Sequence, residues 1–268
     1  MFDFHIHTHY SFDGFHSMKE LAEKAISIGL QELCFTDHKD YDFDGDGSDF
    51  TFSYEDFFKE LETTAYYYQN HIKIKAGVEF GLQPHNLERY EDDMEKYPFD
   101  FIIGSLHSAK KTDIFTGDFF DHRTQQEAYA DYFNDLLQVI RQGAPFSVVG
   151  HLDMIKRYGN YSKPLHPSHY HDMVKSIFME LIQRNQGIEV NTSGYRYHLE
   201  DAHPSVDLLQ LYHRLGGEIV VVGSDAHKIA ELGFRFTETL HILNSIGFRY
   251  ICTYEKLQPR FHKIESLL

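Results

Sequence analysis

The chain has 268 residues, 42% hydrophobic and 25% charged, which are the proportions of a folded globular protein rather than a disordered tail or a fibre. Twenty-five Lys and Arg against 41 Asp and Glu give a net charge of −16, which repels a bare nucleic-acid backbone and favours small partners or local positive charge. No stretch of about 18 apolar residues occurs, and the start Met1-Phe2-Asp3-Phe4-His5 lacks the features of a signal peptide, so a cytoplasmic location with no membrane partner is expected.

In chain order, residues 1–4 read as a buried strand, followed by a helical pattern over 18–28 that opens at Ser17. A strand at 32–35 leads into an Asp- and Gly-rich loop at 39–51, and a helix over 53–70 opens at Ser53. Strands follow at 73–78, 101–103 and 147–149, with a helix over 125–142 capped by Thr124. The remaining strands are 187–190 and 218–222, with a further run at 250–252 as a candidate eighth. The last helices fall at 169–184 (cap Ser168), 205–215 and 230–245.

Strands alternating with helices imply βαβ units and a parallel sheet covered by helices. Seven or eight units in this length suit a closed α/β barrel better than an open sheet, and no glycine-rich dinucleotide fingerprint follows any strand. The whole chain, 1–268, reads as a single domain without repeats or low-complexity linkers. The 39–51 loop, placed directly after a strand, is expected over the barrel mouth.

Two cysteines, Cys34 and Cys252, stand far apart in apolar surroundings and read as buried thiols, so any metal must be held by nitrogen and oxygen. The 19 histidines are therefore informative by position. The first strand runs into His5-Ile6-His7, whose alternate residues can present two imidazoles to one ion. Later strands end in Thr36-Asp37-His38, Gly77-Val78-Glu79, Ser105-Leu106-His107, Gly150-His151-Leu152-Asp153, Asn191-Thr192-Ser193 and Ser224-Asp225-Ala226-His227. Six of the seven predicted strands thus carry a metal-capable residue at the C-terminal edge, where barrel active sites lie.

Each piece has a plainer reading. Imidazoles at strand ends also serve as hydrogen-bond partners, and Glu79 can be a charge emerging into solvent. The joint pattern points to a metal site. His166, His169 and His171 fall off the strand ends and read as surface residues; His9 and His16 lie near the first motif as candidate outer-sphere groups. His71, His85, His122, His198, His203, His213, His241 and His262 carry no comparable signal.

These segments resemble the PHP superfamily (polymerase and histidinol phosphatase), and within it the monofunctional histidinol-phosphate phosphatases. The matching pieces are Asp3-Phe4-His5-Ile6-His7-Thr8 continued by Ser11-Phe12-Asp13-Gly14, then Thr36-Asp37-His38, Gly77-Val78-Glu79, Ser105-Leu106-His107, Gly150-His151-Leu152-Asp153 and Gly223-Ser224-Asp225-Ala226-His227. The histidinol-phosphatase branch is indicated by length, by the 151–157 segment ending in Arg157, and by the 189–196 segment ending in Arg196. The resemblance implies a distorted (β/α)7 barrel and a cluster of three divalent ions, Zn by preference with Mn or Fe as alternatives. It implies a first ion on His5, His7, Glu79 and Asp225, a second on Glu79, His107 and His151, and a third on Asp13, His38 and His227.

The implied activity is hydrolysis of L-histidinol phosphate, a small phosphate ester, in histidine biosynthesis. Two ions bridged by Glu79 would hold a water, lower its pKa and aim hydroxide at phosphorus, with Asp225 or His227 moving the proton to the leaving oxygen. Arg157 and Arg196 are candidates to grip phosphate oxygens, against the plainer reading of surface ion pairs. Lys110 and Lys111 read as solvated lysines. Acidic and aromatic groups at 39–44 and 113–115 are candidates for the pocket around the amine and imidazole. A nucleotide or other phosphoesterase of the same fold is the alternative, and a metal-binding module without turnover is a third reading, disfavoured by the complete ligand set. A metal-storage surface would place its histidines in low-complexity tracts. Oligomeric state is not readable from the chain.

Overall fold

The computed structural model describes residues 1–197 and 199–268; His198 lies outside the described residues. Strands β1 (Phe2–Ile6), β2 (Glu32–Phe35), β3 (His38–Asp40), β4 (Lys73–Gly81) and β5 (Phe101–Ser105) come first, followed by a short pair, β6 (Ser108–Ala109) and β7 (Thr112–Asp113). Strands β8 (Val148–Val149), β9 (Gly187–Asn191) and β10 (Val220–Gly223) complete the main sheet, and β11 (Tyr250–Glu255) pairs with β12 (Gln258–Lys263). The helices are α1 (Met18–Ser27), α2 (Tyr54–Tyr68), α3 (Leu87–Lys96), α4 (Gln125–Arg141), α5 (His171–Gln183), α6 (Val206–Arg214) and α7 (Phe236–Ile246).

The main sheet runs β1-β2-β4-β5-β8-β9-β10, all parallel, with β3 continuing the β2 edge of β4. Its ends meet: Ile6 bridges Ala226, His7 N–H donates to Ala226 O at 2.9 Å, and Ala226 N–H to His5 O at 3.2 Å. Asp3 reinforces this seam, its carboxylate accepting from Ser224 N–H, Ser224 Oγ–H and Gly233 N–H. The result is a seven-stranded α/β barrel with a distortion in β1, which spends three residues from Asp3 to Ile6 where β2 spends two from Leu33 to Phe35.

Helices form where apolar residues recur at helical spacing behind a polar cap. In α1, Met18, Leu21, Ala22 and Ala25 are buried, and Ser17 and Glu20 form a reciprocal capping box, of the kind in which the cap alone contributes about 1 kcal/mol. Thr124 and Glu127 do the same for α4. Ser168 does not cap α5: it sits in the short turn Pro167–His169, because Pro167 opens a separate 3-10 turn and leaves Tyr170 at the helix start.

The apolar run at 250–252 is not an eighth barrel strand. The seam between Ile6 and Ala226 already closes the sheet, so β11 turns back on β12 as an antiparallel hairpin. This hairpin covers the N-terminal end of the barrel: Tyr254 packs 5.0 Å from Phe101, and Leu257 N–H donates to Asp100 O. Cys34 and Cys252 are both buried free thiols.

Candidate metal centre

The distortion in β1 and the C-terminal ends of the other strands determine what faces the barrel mouth. His5 and His7 converge, their Nε2 atoms 3.0 Å apart. Glu79, from β4, is fully buried at the middle of the cluster. Its Oε2 lies 3.2 Å from His5 Nε2, 3.4 Å from His7 Nε2 and 3.0 Å from His38 Nδ1. Its Oε1 lies 2.9 Å from His151 Nε2 and 3.3 Å from His107 Nε2, and accepts from Ser105 Oγ–H at 2.6 Å. Asp225 Oδ1 approaches His5 and His7 at 3.6 and 3.4 Å, while Asp13 lies 3.1 Å from His227 and 3.7 Å from His38.

All nine residues expected at the centre are brought together. Their ligand atoms gather as His7, Asp13, His38 and His227; as His5, His7 and Asp225; as His5, Glu79 and His151; and as His38, Glu79 and His107, each group within 4.8 Å. The grouping differs from the three separate sets that the resemblance implies. His7 also joins the Asp13 group, because its ring packs on those of His38 and His227, and His38 also joins the Glu79 group, its Nδ1 3.0 Å from Glu79 Oε2.

Electrostatics favour cations here. Burial would raise the Glu79 pKa, but His5, His38 and His107 outweigh it and hold the carboxyl well below its usual range; Asp225 is likewise held low against burial by His5 and His7. Burial opposes charge on His5, yet Glu189, Glu79 and Asp225 raise its pKa well above the ordinary value. His7 is driven well below by burial and by His227 and His38. His227 is raised to about 9, against burial, by Asp13 and Asp225.

Whether these residues suit metal ions is tested by their unsatisfied atoms. Glu79 Oε2, His38 Nδ1, Asp13 Oδ1 and His151 Nδ1 are buried without a hydrogen-bond partner, although Glu79 Oε2 is close to three imidazoles, and the nearest partner of the buried His227 Nε2 is Asp13. A buried polar atom left unmatched costs about 1–3 kcal/mol, so several in one place are uneconomical unless a cation satisfies them. The nitrogen and oxygen donors, without thiolate, fit Zn, Mn or Fe.

Above the cluster lies a cavity of about 250 Å³, lined in part by His38, His107, His151, Arg157, Arg196 and His227. A larger cavity of about 790 Å³ opens at the hairpin end against Phe146 and Tyr254, and none of the nine clustered residues lines it. Arg157 lies over the Tyr197 ring at 3.3 Å with its Nε buried and unpartnered. Arg196 donates from Nη1 to Ser224 O and from Nη2 to Asp225 O, both at 2.7 Å, bracing Asp225, whose φ of 55° lies in the left-handed region.

The loop after β3 does border the mouth: Phe50 packs on Phe12, which stacks on His38, and Phe43 stacks with Phe115. Phe115 also lines the cavity, whereas Asp113 turns its carboxylate to the N–H groups of Phe115 and Thr116. Lys110 is not simply solvated, since it pairs with Asp135. His9 is exposed beside Glu60 and does not back the cluster. His166 is exposed, as expected.

Sequence reasoning missed the carboxylates behind the imidazoles. Glu189 Oε1 lies 2.6 Å from His5 Nδ1, and Asp40 Oδ1 lies 2.7 Å from His107 Nδ1. Ser11 links His7 Nδ1 at 3.0 Å to Asp37 at 2.7 Å. A carboxylate inside the otherwise apolar strand Gly187–Asn191 was the available signal, since such a group is not buried without a partner. His203 is also buried, held by Asp153 at 2.7 Å, and both burial and Lys156 lower its pKa to about 3.

The chain is 27% identical to the histidinol-phosphatase of Lactococcus lactis over 258 residues, covering 96% of this chain and 95% of that protein. It is 27% identical over 256 residues to the probable histidinol-phosphatase of Clostridium acetobutylicum, covering 93% and 95%. The crystal structure of the Lactococcus lactis histidinol phosphate phosphatase, complexed with Zn, L-histidinol and phosphate, superposes with a TM-score of 0.88 at 27% identity over 97% of this chain and 98% of that one. The PHP domain pattern matches residues 3–193, a stretch that starts at the seam carboxylate Asp3 and takes in seven of the nine clustered residues, and the chain belongs to the PHP domain family.

Proposed function

We propose that this chain is a metal-dependent phosphomonoesterase that hydrolyses L-histidinol phosphate to L-histidinol and phosphate in histidine biosynthesis. The observation that carries the reading is the mouth cluster, in which nine His, Asp and Glu side chains leave buried nitrogen and oxygen atoms unmatched beneath a cavity lined by two arginines. The near full-length likeness to a phosphatase solved with Zn, L-histidinol and phosphate supports the substrate. On this reading residues 1–268 act as one unit that holds three divalent ions, Zn before Mn or Fe: His5, His7, Glu79 and Asp225 hold one, Glu79 with His107 and His151 another, and Asp13, His38 and His227 the third.

Phosphate monoester hydrolysis is among the slowest uncatalysed reactions that enzymes accelerate. Bound divalent ions supply Lewis acidity there, making a water nucleophilic near neutral pH and offsetting phosphate charge. Arg157, with an unsatisfied Nε, binds phosphate oxygens, and Arg196 contributes charge while bracing Asp225. Asp225, held as a carboxylate and bordered by His227 Nδ1 at 3.5 Å, accepts the proton that the attacking water gives up and passes it to the oxygen of the departing L-histidinol.

The test is phosphate release from L-histidinol phosphate beside a panel of nucleotides and sugar phosphates, with metal content assayed in the same zinc- or manganese-loaded samples. Strong preference for L-histidinol phosphate is expected. Turnover of a nucleotide in its place would move the substrate to the alternative class.

A further inference from the structure

Glu189 makes no direct approach to the nest of ligand atoms, yet it is 1% exposed and both of its oxygens are committed. Oε1 faces His5 Nδ1 at 2.6 Å. Oε2 accepts from the backbone N–H of His151 at 2.9 Å and from Asn191 Nδ2 at 3.1 Å. The carboxylate thus bridges a side chain from β1 and the backbone just beyond β8, two segments that carry ligands from different sides of Glu79.

The space for this bridge is made by a glycine. A Cβ at Gly223 would fall 2.2 Å from Glu189 Oε1 and 2.5 Å from His5 Cβ. The same device recurs at the Asp40–His107 pair, where a Cβ at Gly81 would fall 1.7 Å from Asp40 Oδ1. Two neighbouring ligand histidines are therefore backed by buried carboxylates in clefts that only glycine leaves open. They differ in one respect: Asp40 Oδ2 has no hydrogen-bond partner, whereas Glu189 serves a second strand.

We propose that Glu189 is a positioning residue that keeps the His5 proton on Nδ1, leaves Nε2 free to ligate, and locks that choice to the backbone of His151. The proposal rests on the reading of His5 as a metal ligand. Glutamine cannot replace Glu189, because its amide offers one acceptor oxygen to donors on two sides. If the oxygen faces His5, the NH2 opposes the N–H of His151; if it faces His151, the NH2 opposes Nδ1–H and drives the His5 proton to Nε2. Loss of an outer-sphere partner of this kind typically weakens metal affinity 10–100-fold.

The experiment is chelator competition on zinc-loaded wild type, Glu189→Gln, Gly223→Ala and His5→Ala, with long-range 1H–15N spectra of the wild-type histidines. His5→Ala assigns the His5 resonances and tests the ligand itself. Expected are loss of an ion in His5→Ala, a 10–100-fold weaker ion in Glu189→Gln, a shift in the same direction in Gly223→Ala, and a wild-type His5 carrying its proton on Nδ1. Loss of the ion in His5→Ala with wild-type affinity in Glu189→Gln overturns the inference and leaves the metal centre standing. A full ion complement in His5→Ala removes the ligand on which it rests. The wild-type spectrum decides even if a variant does not fold: a His5 proton on Nε2 overturns the proposal.

Discussion

The two ends of the barrel are built on opposite principles. At the C-terminal mouth, Glu79 and its neighbours bury charge and leave nitrogen and oxygen atoms without partners. At the N-terminal end, the β11–β12 hairpin packs Ile251, Cys252 and Tyr254 into the core around Phe101, and Lys256 N–H and Leu257 N–H are matched to Asp100. One end spends stability on a charged cluster, and the other recovers it through apolar burial and paired backbone groups. The division explains how a barrel can carry so much unmatched polarity at one face, and it predicts that substitutions at the two ends act on different observables.

The largest effect is expected from Glu79→Gln, which removes the carboxylate that two of the four ligand groups share and that five histidines border. Phosphatase activity should fall by more than the roughly 10–100-fold typical of outer-sphere partners, with loss of bound metal in elemental analysis and a fold retained by circular dichroism. Near wild-type turnover would erase the distinction between the ends. Phe101→Ala should act the other way, lowering unfolding free energy by about 3–5 kcal/mol in urea titration while turnover per folded, metal-loaded molecule is kept.

Arg157→Lys sharpens the account within the mouth. Lysine keeps the charge but loses the planar fork, so KM for L-histidinol phosphate should rise about tenfold, equivalent to roughly 1.4 kcal/mol, with little change in metal content. An unchanged KM would place Arg157 outside phosphate binding.

The smallest effect concerns pH in metal-stripped protein. The His227 pKa is raised to about 9, so its pairing with Asp13 contributes stability that is fully present below the ordinary histidine range and is lost as pH rises through about 9. Thermal melts from pH 6 to 10 should show a decline on the order of 1 kcal/mol, while zinc affinity rises over the same interval because the ion displaces that proton. A stability that increases with pH would contradict the pairing.

Much of this architecture was legible in the chain. Seven parallel strands follow from short apolar runs between helical patterns, and β2 begins and ends at 32–35 as expected. Eight of the nine clustered residues were legible because metal-capable residues recur at one position, the strand end, whereas Asp13, in the loop after β1, entered only through the family resemblance. What escaped was structure built from polar residues: α3 buries only Leu87, Tyr90 and Asp93, and Asp93 is buried because the hydroxyls of Tyr41 and Tyr54 donate to it. Likewise β3 consists of His38, Lys39 and Asp40, a strand with no apolar signal, buried because His38 faces Glu79, Asp40 faces His107, and Lys39 donates to Phe52 O and lies over the Tyr54 ring. Glu189 and Asp40 were hidden for the same reason: their role depends on contacts between residues 184 and 67 positions apart in sequence.

The central claim is that the mouth cluster is a metal centre, and anomalous X-ray scattering at the zinc edge from crystals of the zinc-loaded protein tests it most directly. The account predicts three peaks in the C-terminal mouth, two of them in contact with Glu79. An empty mouth, or zinc found only at surface histidines such as His166, His169 and His171, would contradict it.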